Sequence, residues 1–491
     1  TTIWVVDSGN GYPIRFYGEG NPANPRWSPN GQQLLFTSRR GMDEDEKGTG
    51  LWVTQVWGGE PRLITKVGGG ASSPEWNMYG TKVYFLSYVG EEAPEVRIID
   101  RIPIWYNAEG WTYYRTKQLH VVDVNSGIVT QLTHGDEDVQ CYAPGNLGGK
   151  VAYAKSSNPL RPSESDLIVY DIATRKHERV LCGYSLSALC WSVDDSQIAV
   201  LGHRGSHGYP THWGVHVLDL KTAEAADLTE SLDRGCSRRH YYDLRSPHTG
   251  LPAPVWEGPM IYFPVSDSSR FGVYRVQAEQ GHIDPVVSGD FSVEEFSVSK
   301  GKIAYTRVRT DQPTEMWIHD EKEARLTRFN DHLLANVELA KAERFEFTQK
   351  DGTVVEGWVL KPHGWRKGRK YPAIVDIHGG PRSKFGDSMM FEHQLYAAEG
   401  YAVIYINIRG SDGYDQRFCD IRGEWGIWDY EDLKKGVEHA LKEFKWIDSE
   451  RLGVTGLSYG GYMTNWVITH TDMFKAAVSQ NSISSWTAFA E

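Results

Sequence analysis

The sequence predicts two domains: a β-propeller over residues 1–335, then an α/β domain with a largely parallel sheet over residues 340–491. Three observations carry that prediction. A strand–turn–strand unit recurs through the first two-thirds of the chain. From about Ala342 the rhythm changes to apolar strands alternating with helix-like segments. The 491 residues also exceed what one core holds, since single cores stop growing at roughly 250–300 residues.

The repeat is carried by a short strand that usually ends near Asp or Gln. Its copies begin at Ile3, Leu51, Leu119, Leu167, Val215, Val273 and Met316, with one long step between Leu51 and Leu119. Many continue into a second strand ending in Leu-Thr or similar, as at Leu132-Thr133, Leu228-Thr229 and Leu326-Thr327. A turn signature precedes other strands: Trp27-Ser28-Pro29-Asn30-Gly31, Trp76-Asn77-Met78-Tyr79-Gly80 and Trp191-Ser192-Val193-Asp194-Asp195. Each feeds an alternating strand such as Gln33-Leu34-Leu35-Phe36. Several strands per unit, at a period of roughly 40–50 residues, are the pattern of a propeller blade. Seven copies predict seven blades. Thr1 opens almost directly on the repeated strand, so the first blade reads as truncated. Residues 88–118, with Arg97 to Arg101 and Trp105-Tyr106-Asn107, form an insertion that either covers a site or extends a blade.

In the second domain, Lys350-Asp351-Gly352 reads as a hairpin between Arg344–Thr348 and Val354–Leu360. Buried-strand runs follow at Tyr371–His378, Tyr401–Ile406, Arg451–Thr455 and Phe474–Val478. Between two of them Asp429–Phe444 is amphipathic, with Leu433, Val437, Ala440, Leu441 and Phe444 on one stripe and Glu431 placed to meet Lys435. Continuous apolar strands alternating with helices predict a sheet covered on both faces.

The chemistry concentrates on one turn. Gly456-Leu457-Ser458-Tyr459-Gly460-Gly461 matches G-x-S-x-G between an apolar strand and a helix-like segment. That context is the nucleophile elbow of an α/β-hydrolase domain. Small neighbours let the chain turn sharply and hold the Ser458 oxygen outward, with a helix N-terminus behind it. His378-Gly379-Gly380-Pro381 ends an earlier strand, and such a glycine-rich end can aim an N–H at an oxyanion. The candidates are Ser458 as nucleophile and the main-chain N–H groups of Tyr459 and Gly380 as oxyanion donors.

Gly456 to Thr464 resembles the nucleophile segment of the prolyl oligopeptidase family, which joins a propeller to an α/β-hydrolase and cleaves short peptides. Asn407-Ile408-Arg409-Gly410-Ser411-Asp412-Gly413-Tyr414 is similar too, as is Gly423-Glu424-Trp425-Gly426 leading to Asp429. Within the family, His378-Gly379-Gly380-Pro381 and the stretch from Val96 to Trp111 resemble the acylaminoacyl-peptidase branch. Prolyl oligopeptidases and dipeptidyl peptidases usually carry a Tyr where His378 stands. Its absence here favours two backbone oxyanion donors. The resemblance implies an aromatic wall of the specificity pocket at Trp486, just beyond the strand that follows the elbow and its helix. Glu91-Glu92 lack the surroundings of the paired glutamates with which dipeptidyl peptidases hold a free amino terminus, and read as a solvated pair.

Hydrolase triads run Ser, then acid, then His. The stretch from Ser458 to Glu491 is short, and His470 and Asp472 are the only His and Asp in it. In relatives neither position is catalytic. The expectation is that the triad acid and base lie beyond Glu491, that the hydrolase domain is C-terminally incomplete in this chain, and that the chain alone is nearly inactive.

Composition narrows the partners. The net charge of −12 argues against a nucleic-acid groove, and no apolar run is long enough to span a membrane. Cys141, Cys182, Cys190, Cys236 and Cys419 are scattered, outside zinc spacing, and read as reduced buried thiols of a cytoplasmic protein. No cofactor or metal is expected. The expected function is a serine peptidase that releases an N-acylated amino acid from short peptides, and a homo-oligomer is expected from relatives. Dipeptidyl peptidase, carboxypeptidase-like or esterase activity on the same fold stays open, as does a non-catalytic propeller binding protein.

Overall fold

The computed structural model describes residues 1–9, 11–44, 46–90, 95–96, 105–106, 110–111, 114–158, 160–244, 252–279 and 281–490. Glu91, Glu92 and most of the 88–118 insertion's centre, including residues 97–104, lie outside the described residues.

The first two-thirds of the chain folds into antiparallel sheets laid down in sequence order. A two-stranded pair, Ile3–Val5 with Ile14–Tyr17, comes first. Four-stranded units follow, beginning with Ala23–Trp27, Gln33–Ser38, Thr49–Gln55 and Arg62–Val67. The strand Lys176–Trp191 serves two units: up to Tyr184 it pairs with Ser165–Asp171, and from Ser185 with Gln197–His203.

Strands inside these units are apolar on both faces because each sheet is packed between two neighbours. Leu34 and Phe36 share a core with Ile3 and Trp52. Leu35, between them, shares another with Val53, Val83 and Phe85. Tyr84 and Leu86 point the other way from Val83 and Phe85, into a third core with Leu119 and Tyr153. This two-sided burial, repeated along the chain, makes a ring of blades. The Trp4 ring packs edge-on against Phe329, centroids 4.9 Å apart, joining the first strand to the segment after the last blade strand.

The turn signature has a mechanical role. Trp76 Nε1 donates to the Arg26 carbonyl at 3.2 Å, and Trp191 Nε1 to the Ala143 carbonyl at 2.9 Å, each hooking one unit to the preceding one. Within the turn, the hydroxyls of Ser28 and Ser192 accept from the N–H groups of Gln33 and Gln197, both at 2.9 Å.

The second sheet has six strands: β1 (Ala342–Thr348), β2 (Val354–Leu360), β3 (Tyr371–Ile377), β4 (Ala402–Asn407), β5 (Ile447–Leu457) and β6 (Ala476–Gln480), in the order β1-β2-β4-β3-β5-β6. β1 and β2 are antiparallel additions, and the β4, β3, β5 and β6 pairings are parallel. Three helices connect the parallel strands: α1 (Phe391–Ala398), α2 (Trp428–Glu443) and α3 (Tyr459–His470). The order reverses between β3 and β4, so right-handed crossovers put α1 on one face and α2 with α3 on the other. The cores agree. Ala402, Ile404 and Ile406 pack with Leu433, Val437 and Met463, whereas Val403 and Tyr405 pack with Trp358, Phe385 and Tyr396.

Leu433, Val437 and Ala440 are buried along α2, as the stripe predicts. The Glu431–Lys435 pair does not form as expected: Lys435 reaches instead to the Thr348 carbonyl at 2.9 Å, tying α2 to β1. The thiols also depart from expectation. Cys236 and Cys419 are buried, but Cys182 is exposed, and all five are unpaired. No helix among the described residues is long and apolar enough to cross a membrane.

Candidate active site

Ser458 sits between β5 and α3 with φ 61° and ψ −116°, a conformation costly for a residue with a Cβ. It is held there from three sides. Its N–H donates to the Gln480 carbonyl at the end of β6, at 2.9 Å. A Cβ on Gly460 would stand 1.9 Å from the Ile377 carbonyl oxygen, and one on Gly456 2.5 Å from Gly460. One on Gly461 would approach the Gln480 oxygen to 2.7 Å. The glycines are therefore required by contact, because the turn is pressed against the ends of β3 and β6.

Tyr459 opens α3, so its N–H is among those with no intrahelical acceptor, at the positive end of the helix. Its side chain is fully buried and donates to the Asp429 carboxylate. Asp429 also accepts the Gly426 N–H at 3.1 Å. Burial raises the Asp429 carboxyl above its ordinary value, against the hydrogen bonds from Tyr459 and the backbone. Burial beside this carboxylate pushes the Tyr459 phenol well up, so it stays a protonated donor.

At the end of β3, Gly379 faces the turn: a Cβ there would lie 3.1 Å from the Leu457 oxygen and 3.5 Å from the Ser458 Cβ. Gly380 has φ 122°, and a Cβ would meet the Arg382 N at 2.3 Å. His378 anchors this pair. It is fully buried, with Nδ1 2.8 Å from the Gly379 oxygen and Nε2 2.8 Å from the Ser411 hydroxyl. Burial pushes its imidazole down to about 4, so it is neutral at pH 7.

Trp486 is half-buried, 4.2 Å from the Trp425 ring and 5.1 Å from Tyr462 by centroids. Sequence reading singles out Trp486 alone. Trp425, Tyr462 and Asp429 join it around the first turn of α3, and the signal for two of them is the Gly423-Glu424-Trp425-Gly426 segment leading to Asp429. His470 is at the opposite end of α3, about 18 Å away along the axis. Its ring stacks on Trp466 at 4.2 Å and its Nδ1 lies 2.8 Å from the Trp466 oxygen. Asp472 is exposed beyond it.

Two side chains unpredicted from sequence fasten this sheet to the propeller. Arg382, 1% exposed, donates to the carbonyls of Tyr209 at 3.1 Å and Thr211 at 2.5 Å, approaches His212 Nδ1 at 3.0 Å, and has its Nε 3.3 Å from buried Asp412. Lys384, fully buried, donates to the Ser268 and Arg270 carbonyls, both at 2.6 Å. His212, Asp412 and Cys419 offer donor atoms within 4.8 Å of one another. A metal does not fit them: the Arg382 guanidinium already lies against both His212 and Asp412, and its charge opposes a second cation.

A blade ring closed over a parallel sheet, with a strained serine at a strand–helix turn, defines the class: an α/β-hydrolase carrying a propeller. The C-terminal part, residues 387–491, matches the profile of the prolyl oligopeptidase family, and residues 302–424 match that of acetyl xylan esterase (AXE1). The chain is 30% identical to the uncharacterized peptidase YuxL of Bacillus subtilis, across all of this chain and 77% of that protein. It is 38% identical to dipeptidyl-peptidase 5 of Trichophyton schoenleinii, across 93% of this chain and 69% of that protein. Its fold superposes on acylaminoacyl peptidase of Pyrococcus horikoshii with a TM-score of 0.84 at 23% identity, covering 100% of this chain and 74% of that one. For the puromycin-hydrolyzing peptidase of Mycobacterium tuberculosis the TM-score is 0.68 at 18% identity, covering 97% and 71%. The chain belongs to the prolyl oligopeptidase family of serine peptidases.

Proposed function

We propose that Ser458 is the nucleophile of an exopeptidase that acts on short peptides and releases an N-acylated amino acid. The strained φ of Ser458, held by glycines that tolerate no Cβ, is the observation that carries this reading. Ser458 attacks the scissile carbonyl, and the Tyr459 and Gly380 N–H groups stabilise the tetrahedral oxyanion. The aromatic cluster of Trp425, Tyr462 and Trp486 receives the side chain on the acyl side, the P1 residue. His378 has both nitrogens engaged and His470 is remote. Neither is placed to take the Ser458 proton.

The repeats are read as seven blades whose ring admits only short or unfolded peptides. Five unpaired cysteines support a reducing, cytoplasmic setting. The 38% identity to dipeptidyl-peptidase 5 favours a second reading, removal of an unblocked dipeptide. One comparison tests both: acetyl-alanyl anilide, alanyl-alanyl anilide and a simple ester, each with the wild type and Ser458→Ala. The first reading expects the acylated anilide to be cleaved fastest and Ser458→Ala to lose several orders of magnitude in kcat. Preference for the unblocked dipeptide transfers the assignment to the second reading, and an unimpaired Ser458→Ala ends both.

A further inference from the structure

A strap from the propeller reaches the candidate site. Residues 239–241 run along the segment that follows Gly379-Gly380. Lys384 N donates to the Arg239 oxygen at 3.1 Å, Tyr241 N donates to the Lys384 oxygen at 2.8 Å, and His240 bridges Lys384 in parallel. Two residues on, the Asp243 carboxylate accepts the N–H groups of Phe391 and Glu392, both at 2.7 Å, at the start of α1. The strap is thus pinned at both ends to the hydrolase domain, with Tyr241 between.

Tyr241 is half-buried. Its ring stands edge-on to Phe385 at 5.5 Å and 6.5 Å from the His378 ring. A Cβ on Gly379 would lie 3.9 Å from Tyr241 Cε2 and 3.5 Å from the Ser458 Cβ. The tyrosine ring edge and the Ser458 Cβ therefore flank the same empty side of one glycine. Burial, with Asp376, Glu392 and Asp243 nearby, holds the phenol protonated, so this edge is uncharged.

The side of the sheet matters. The Trp425–Tyr462–Trp486 cluster stands over the face that carries α2 and α3, whereas Tyr241 packs with Phe385 and Tyr396 over the face that carries α1. An acyl carbon attacked by Ser458 carries three other groups: the oxyanion, the P1 carbon and the leaving nitrogen. With the oxyanion on the Tyr459 and Gly380 amides and P1 in the aromatic cluster, the leaving amine lies on the opposite flank. We propose that Tyr241 is the wall of the site for the first residue of the leaving peptide (P1′), and sets a preference for large apolar side chains there. The inference rests on Ser458 being the nucleophile.

The test is a P1′ series on the intact natural protein: acetyl-Ala-X-amide, or Ala-Ala-X-amide if unblocked peptides are preferred, with X as Gly, Leu or Phe. The quantity read is the Phe-to-Gly ratio of kcat/KM, in which the folded fraction of enzyme cancels. Tyr241→Ala is expected to lower this ratio about tenfold, the worth of an apolar wall. Tyr241→Phe is expected to keep it. A ratio within about twofold of wild type in Tyr241→Ala overturns the assignment, as does a change in P1 preference instead. Ser458→Ala separates the two levels. If it cleaves like wild type, the nucleophile assignment fails and this inference falls with it. If Ser458 is essential and the ratio holds, Tyr241 alone is misassigned.

Discussion

His378 anchors the glycine pair at the end of β3 through both of its ring nitrogens. Its imidazole joins the Gly379 carbonyl to the Ser411 hydroxyl, and burial holds it down to about 4. In the unfolded chain it would titrate near 6.5. Between those values the unfolded state binds the proton and the folded state does not, so stability rises with pH across the window and is lost as pH falls from about 6.5 to 4. For a fully buried ring the full shift corresponds to about 3 kcal/mol. Urea melts from pH 7.5 down to 4 are expected to show this decline, and His378→Gln is expected to make it shallower while lowering stability at pH 7.5. An unchanged slope in His378→Gln would mean that the acid sensitivity belongs to other histidines, such as the half-buried His203, also pushed down to about 4.

At the scale of the element, the first turns of α2 and α3 form one unit. Asp429 near the start of α2 holds the Tyr459 hydroxyl and the Gly426 N–H, which lets one carboxylate fix the residue after Ser458 and the loop that carries Trp425. Asp429→Ala removes the acceptor of a buried hydroxyl and of two N–H groups, those of Gly426 and Tyr430. The expected cost is about 2 kcal/mol in a urea melt, with kcat reduced more than KM is changed, because the N–H proposed as an oxyanion donor loses its brace. Asp429→Asn keeps an acceptor and is expected to recover much of both. Much of this unit was legible in the sequence. G-x-S-x-G in strand–helix context located the turn, and the spacing of Leu433, Val437 and Ala440 located the buried face of α2. The reason is that both signals are local: a strained turn needs glycines at fixed offsets, and a helix face repeats every turn. Glu431 and Lys435 had the right spacing for a pair, but the Thr348 carbonyl competes for the lysine, and spacing does not reveal a competitor on another strand.

Across the whole molecule, the repeat was readable because inner blade strands such as Gln33–Ser38 and Lys82–Gly90 serve two cores and so repeat the same two-sided apolar pattern. The junction between propeller and hydrolase sheet has no such pattern. Arg382, Lys384 and Tyr241 meet partners far away in sequence, through individual polar or ring contacts that no periodicity marks. Arg382 has several partners at this junction. It satisfies two propeller carbonyls, and it is the cation beside Asp412, whose carboxylate is fully buried and makes no other ion pair among the described residues. Removing one partner of a buried pair leaves the other charge stranded, which costs about 3–5 kcal/mol, far more than the pair's net worth. Arg382→Met is therefore expected to lose that much in a denaturant melt. Hydrogen exchange should speed up first at residues 209–212 and 411–413, where the two domains meet. Arg382→Met with Asp412→Asn removes the stranded charge and is expected to regain part of the loss, leaving only the unmet carbonyls of Tyr209 and Thr211. If the double variant were no more stable than Arg382→Met, the junction would owe its strength to those two carbonyl bonds, and Asp412 would be a bystander to the docking of the domains.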